Sequence, residues 1–250
     1  MKILLAPSEA KREDGHGAPL DISSLFMSRP LHDVRHSLME KYSHMKDSDD
    51  HETILRLFGL KKDDLIERYT NIDISDSPTM KAILRYTGVA YDHLSYDTLP
   101  EHAKSYIDEN VIIFSNLFGP ILASDHIPDY RVSQSGGVKL LGSDRLYSSI
   151  CNRQLDSVLE GEDILDIRAN FYEKFYIPSS GRTVLKFLKS GKVVSHWAKA
   201  YRGIVLRALA LSGCDDIESF LSLPIEGLSI EEIRERKGVR EVIYSIGETS

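Results

Sequence analysis

Four short, largely apolar runs in this chain end abruptly in polar groups. Met1 to Ala6 runs into PSEAK, VIIF (111–114) into SN, DILDI (163–167) into Arg168, and VV (193–194) into SHW. A strand with one wet face alternates polar and apolar residues. An unbroken apolar run has no wet face and must be covered on both sides. Between these runs lie helical patterns. Leu31, Val34, Leu38, Tyr42 and Met45 give 31–46 an apolar stripe, and 52–69 carries another that breaks at Gly59. Ser77 and Pro78 predict a helix start, with the helix running to about Tyr86. A further helix runs from Ser143 or Asp144 to about Leu159, and a long one ends at Gly213. Interspersed strands and helices predict an α/β (or α+β) fold with one mixed β-sheet surrounded by helices. No repeat, low-complexity segment or linker divides the chain, so 1–250 reads as a single domain. TVLKFLKSGKVVSHW (183–197) predicts a hairpin about Ser190–Gly191. The tail predicts a helix around 229–237 and a last strand, EVIYSI.

The net charge is −7, but it is unevenly spread. Residues 1–130 hold 14 Lys/Arg against 22 Asp/Glu, whereas 131–211 hold 13 against 7. Within the latter, 168–207 has nine basic residues and one acid, Glu173. Such segregation predicts a basic cleft on an acidic body, able to draw anions whatever the overall charge. The start is too short for a secretory h-region, and the most apolar stretch, IVLRALAL, is interrupted by Arg207. Cys151 and Cys214 have no metal-ligand spacing and read as reduced thiols. A cytoplasmic protein with no membrane partner is the expectation.

The strand ends carry the candidate chemistry. Ser8 and Lys11 follow the first, Ser115 and Asn116 the second, and Arg168 and Tyr172 the third. Ser195, His196, Lys199 and Arg202 follow the fourth. In α/β sheets ligands gather at the carboxyl ends of strands, so these groups are expected to share a cleft. Lys199 and Arg202 lie three apart at a helix start, where cations oppose the helix dipole. A bound anion would account for them. Arg131 and Tyr91 complete the candidate nucleic-acid or anion-binding set. LFGLKKDDLIERY (57–69) has the outline of a helix-hairpin-helix, with Gly59, Lys61 and Lys62 suited to phosphate and Asp63 and Asp64 opposed to it. SGGVK (135–139) is either an anion nest or an ordinary turn; it lacks P-loop spacing. Of the nine histidines, His32 and His36 have the four-residue spacing of a metal-binding pair, but no HExxH accompanies them and they read as a solvated helix face, so no metal or other cofactor is expected.

APSEAK (6–11), YTGVAYD (86–92), SNLFGPILASDHIPDYRVS (115–133), LDIRANFY (165–172) and SHWAKAYRG (195–203) occur in this order. Together they resemble the YaaA family of bacterial peroxide-stress proteins over nearly the whole chain. The resemblance implies an unusual single-domain α/β topology, DNA binding through a positive cleft and a helix-hairpin-helix-like element, and limitation of free iron and oxidative DNA damage. The partner is then DNA or another phosphate-bearing ligand; no obligate protein partner is implied. The rival reading is an enzyme acting on a small phosphorylated or nucleotide-like substrate. Its pocket would be built around Ser8, Lys11, His196 and Lys199, with Lys11 or His196 as proton carrier.

Overall fold

The computed structural model describes residues 1–247 apart from Lys62 and Ser190; the side chains of Asp63, Asp64, Val193, Ser195 and His196 also lie outside the described set. Ten strands run in chain order: β1 (Lys2–Leu5), β2 (Met80–Lys81), β3 (Val111–Ser115), β4 (Gly119–Leu122), β5 (His126–Ile127), β6 (Ile164–Asp166), β7 (Arg182–Lys189), β8 (Lys192–Val193), β9 (Leu228–Arg236) and β10 (Val239–Ile246). The helices are α1 (Ser28–Lys46), α2 (His51–Phe58), α3 (Asp63–Thr70), α4 (Ala82–Arg85), α5 (Val89–Leu94), α6 (Glu101–Asn110), α7 (Gly136–Leu141), α8 (Ser143–Val158), α9 (Ser195–Ser212) and α10 (Ile217–Leu221).

The main sheet has the order β4-β3-β1-β6-β7-β10-β9. Strands β3, β1, β6, β7 and β10 are parallel, and β4 and β9 close the two edges antiparallel. The unbroken apolar runs sit at its centre: Ile3, Leu4, Leu5 and all of β3 are buried. From β1 the chain passes to β3 on one side, and from β6 to β7 on the other. The connections therefore part above β1 and β6, leaving the crevice of a topological switch point at their carboxyl ends.

Strand β8 fixes how α9 reaches that crevice. β10 occupies one edge of β7 as far as Leu188, while β6 covers the other only at Thr183 and Val184. β8 pairs with Leu188 and Lys189, beyond the point where β6 stops. The helix that follows thus starts above β6. Its Gly203 then seats it against α5: a Cβ there would lie 2.1 Å from the Ala90 carbonyl oxygen.

Three expectations are corrected. Only Ala82–Arg85 of the segment 78–86 is helical, because Met80 and Lys81 pair with β5 instead. The hairpin expected over 183–197 ends at Val193, and helix α9 begins at Ser195. The segment 229–237 is strand β9 and not a helix. Ile230 and Ile233, three apart, mimic helical spacing. A bulge opposite Ile243/Tyr244 sets Ile230 against Tyr244 and Ile233 against Val242, so both isoleucines fall on the face of those buried residues.

Candidate nucleic-acid and anion cleft

A cleft of about 550 Å³ opens at the switch point. Its walls are the β1 extension Leu5–Ala10, the turn Thr87–Gly88 with the start of α5, Ile167 and Ala169 after β6, and the first turns of α9. Of the residues expected from sequence, Ser8, Tyr91, Arg131, Tyr172, Lys199 and Arg202 line it. Four segments far apart in the chain meet here: two extend the neighbouring strands β1 and β6, and the others come from the α4–α5 connection and from α9, which packs on α5 through Gly203.

The loop after β1 is held from behind. Lys11 is buried, and its Nζ donates to the carbonyl oxygens of Ser8 (3.3 Å) and Glu9 (3.4 Å). The ammonium lies 3.9 Å from the Tyr130 ring centroid and 5.1 Å from that of Tyr86. Burial pulls its pKa down to about 7, a fall opposed by Asp129 and Glu9 and deepened by Arg131 and Arg85. Lys11 is not among the residues of the cleft wall; it positions the loop that is. Beneath it the Tyr130 hydroxyl bonds to Tyr86 (2.8 Å) and Ser115 (2.7 Å). Ser115 Oγ also accepts from the amides of Leu117 and Phe118, fixing the turn after β3.

Glu9 is the carboxylate of the wall. Its Oε2 accepts from Arg131 Nη2 (3.1 Å) and its Oε1 from the Gln134 amide (2.6 Å). Arg131 Nε donates to the Phe58 carbonyl at the end of α2 (2.7 Å), where a cation meets the negative end of the helix dipole. Lys199 is exposed and Arg202 part-buried; burial lowers the Arg202 pKa, and Asp166 opposes that fall. Neither has an ion-pair or hydrogen-bond partner among the described residues. Three cations and one carboxylate thus line the space, and the carboxylate is already bonded. Tyr91 and Tyr172 back the wall from buried positions, 9% and 2% exposed, with their hydroxyls tied to Ala6 O (2.9 Å) and Asn116 Oδ1 (3.1 Å).

Arg168 is placed differently from the expectation that it faces a phosphate. It is buried, and its Nε and Nη2 grip the two oxygens of Asp166 at 2.8 and 2.7 Å. Its Nη1 and Nη2 also donate to the Tyr172 and Tyr176 carbonyls, and Phe114 lies under the guanidinium at 4.2 Å. Every edge is engaged, so Arg168 shapes the strand end without lining the cleft. Trp197 is exposed on α9, with Lys189 Nζ 5.0 Å from its ring, outside the cleft wall.

Helices α2 and α3 form the two arms expected for the helix-hairpin-helix candidate. Gly59 ends α2 in the left-handed region (φ 65°), and its amide donates to Leu55 O at 2.8 Å. Lys61 is exposed. Lys62, like the side chain of His196, lies outside the described residues. Gln134, Thr87 and Gly88 line the cleft and escaped sequence reasoning, since none carries a charge and only Gly88, with φ 107°, leaves a local mark.

Among the described residues no helix is long and apolar enough to cross a membrane. The family model described as peroxide stress protein YaaA matches residues 1–234. An uncharacterised protein of Campylobacter jejuni is 37% identical over 243 residues, covering 97% of this chain and 98% of its own. A UPF0246 protein of Corynebacterium efficiens is 38% identical over 221 residues, covering 85% and 86%. One from Streptomyces coelicolor is 31% identical over 222 residues, covering 85% and 84%. With its cleft built from the motifs those matches span, the chain belongs to the peroxide stress protein YaaA family.

Proposed function

We propose that this protein serves the peroxide-stress response by binding DNA at the β1/β6 cleft, and that the cleft takes one unstacked nucleotide rather than a paired duplex. The observation that carries this reading is the pair Lys199 and Arg202, cations without partners among the described residues on the wall of a space of limited size. A volume of 550 Å³ equals a cube roughly 8 Å on a side, too narrow for a duplex whose major groove alone is about 12 Å wide. It suits a small ligand. Cations would hold the phosphate, and the base would lie against the apolar part of the wall, which Tyr91 and Tyr172 back from buried positions. Protection of DNA from oxidative damage follows from occupancy. We take the limiting of free iron as indirect, because the cleft carboxylate Glu9 is engaged by Arg131 and the Gln134 amide.

The test is a comparison of a fully paired duplex with the same duplex carrying one unpaired nucleotide. The unpaired form should bind several-fold more tightly, and binding should weaken steeply with salt. Equal affinity for the two, or affinity indifferent to salt, contradicts the reading.

Lys11 favours a second reading, an enzyme acting on a small phosphorylated or nucleotide-like substrate. A buried lysine with a pKa of about 7 exchanges a proton at neutral pH, and because Lys11 lies behind the Ser8 and Glu9 carbonyls and off the cleft wall it would act on a ligand only through that loop. That reading requires turnover whose rate follows an ionisation near pH 7 and disappears in Lys11→Met.

A further inference from the structure

Beside the cleft lies a second cavity of about 360 Å³ whose charged lining is mostly basic. Lys139 comes from α7, Arg145 from α8 and Lys174 from the turn after β6, with Asp144 the one acid. All three cations are exposed, and none has an ion-pair partner among the described residues. Lys174 is nonetheless positioned: its Nζ lies 4.8 Å from the Phe171 ring centroid. A ring face holds an ammonium without neutralising it. Phe171 is held in turn by Tyr172, edge to face at 5.3 Å.

The two linings adjoin in the chain: Gln134 lines the cleft and Ser135 the second cavity, and Tyr172 lines the cleft and Phe171 the second cavity. On a chain of net charge −7, three cations without ion-pair partners among the described residues, one of them held by a ring face, favour an anionic ligand beside the cleft.

We propose that Lys139, Arg145 and Lys174 form a second phosphate subsite, which takes the DNA strand flanking the nucleotide held in the cleft. The proposal rests on the reading of the cleft given above. It assigns the SGGVK lysine to a strand-tracking surface and not to a phosphate nest.

The experiment uses the full chain and two probes, thymidine 3′,5′-bisphosphate and a labelled twelve-nucleotide oligothymidylate. The variant is Lys139→Ala/Lys174→Ala, with its melting temperature compared with wild type. The variant should bind the bisphosphate as wild type does. It should bind the oligonucleotide about tenfold more weakly near physiological salt, with a log–log salt slope shallower by about 1.4, two single-strand phosphate contacts. Oligonucleotide binding unchanged in affinity and slope overturns the subsite. So does equal weakening toward both probes, which would assign the lysines to the cleft itself. Wild-type protein that binds neither probe removes the DNA reading of the cleft, and the subsite with it.

Discussion

Two cavities of nearly equal volume sit at opposite ends of the parallel strands, and their charges are treated in opposite ways. The cleft at the carboxyl ends holds about 550 Å³; the cavity at the amino ends of β6, β7 and β10 holds about 510 Å³. At the amino ends the lining is balanced, four cations (Arg182, Arg236, Lys237 and Arg240) against four acids (Glu162, Asp163, Glu218 and Glu235). Arg240 pairs with Glu218 and Glu235, Arg182 with Glu173 and Asp166, and Glu162 with the Met1 ammonium. At the carboxyl ends Lys199 and Arg202 meet no such partner among the described residues. Volume therefore does not distinguish a site from a packing gap here. The charge balance of the lining does: three cations face one carboxylate at the carboxyl ends, whereas cations and acids are equal in number at the amino ends.

Arg168 sharpens the contrast most, because it lies at the carboxyl end of β6 yet is fully matched. Arg168→Ala should cost about 3–5 kcal/mol by leaving Asp166 buried with a weakened set of partners. Denaturant unfolding measures that loss, and the folded fraction should keep its DNA affinity. A large loss of affinity without a loss of stability would place Arg168 in the site after all.

Lys11 is the next largest effect. Its pKa falls from 10.5 to about 7 on folding. Between those values the unfolded chain binds a proton that the folded chain lacks, so stability rises with pH, by up to about 1.4 kcal/mol per pH unit. Below pH 7 both states are protonated and the burial cost is felt in full. Lys11→Met keeps the apolar stem and should flatten this dependence. Unfolding midpoints at neutral and alkaline pH decide it, and identical pH profiles for the two proteins would contradict the burial of a charged Lys11.

Glu9→Gln has the smallest effect. It removes the one carboxylate of the cleft wall while keeping an acceptor for the Gln134 amide. DNA affinity should rise about two- to fivefold, as Arg131 loses its internal counter-charge. Fluorescence titration checks this; weaker binding would show that Glu9 matters more for holding Arg131 in place.

The positions of these groups were partly legible in the sequence. Largely apolar runs mark β1, β3 and β6, which are adjacent strands; Ser8 and Tyr172 from the segments after β1 and β6 line the cleft, whereas Ser115, Asn116 and Arg168 lie outside its wall. Strand β9 was hidden, since a bulge set by its pairing with β10 brings Ile230 and Ile233 to one face at helical spacing. Arg168 read as an anion contact because no pattern announces that a strand end folds back on Asp166, two residues earlier. Glu9 had no visible partner because Arg131 is 122 residues away and meets it only through the packing of α2. Lys199 and Arg202 were the clearest signals, since cations at a helix start violate a local preference that the fold does nothing to restore.

The central claim is that an excess of cations over acids in the lining, and not cavity size, marks the anion-binding end of the sheet. It is tested by titrating one labelled single-stranded DNA at two salt concentrations against Lys199→Ala/Arg202→Ala and against Arg236→Ala/Lys237→Ala, which alters exposed cations of the opposite cavity. The cleft variant should lose roughly tenfold in affinity, with a salt slope shallower by about 1.4, and the other should bind as wild type. Equal losses in both variants, or none in the first, would contradict it.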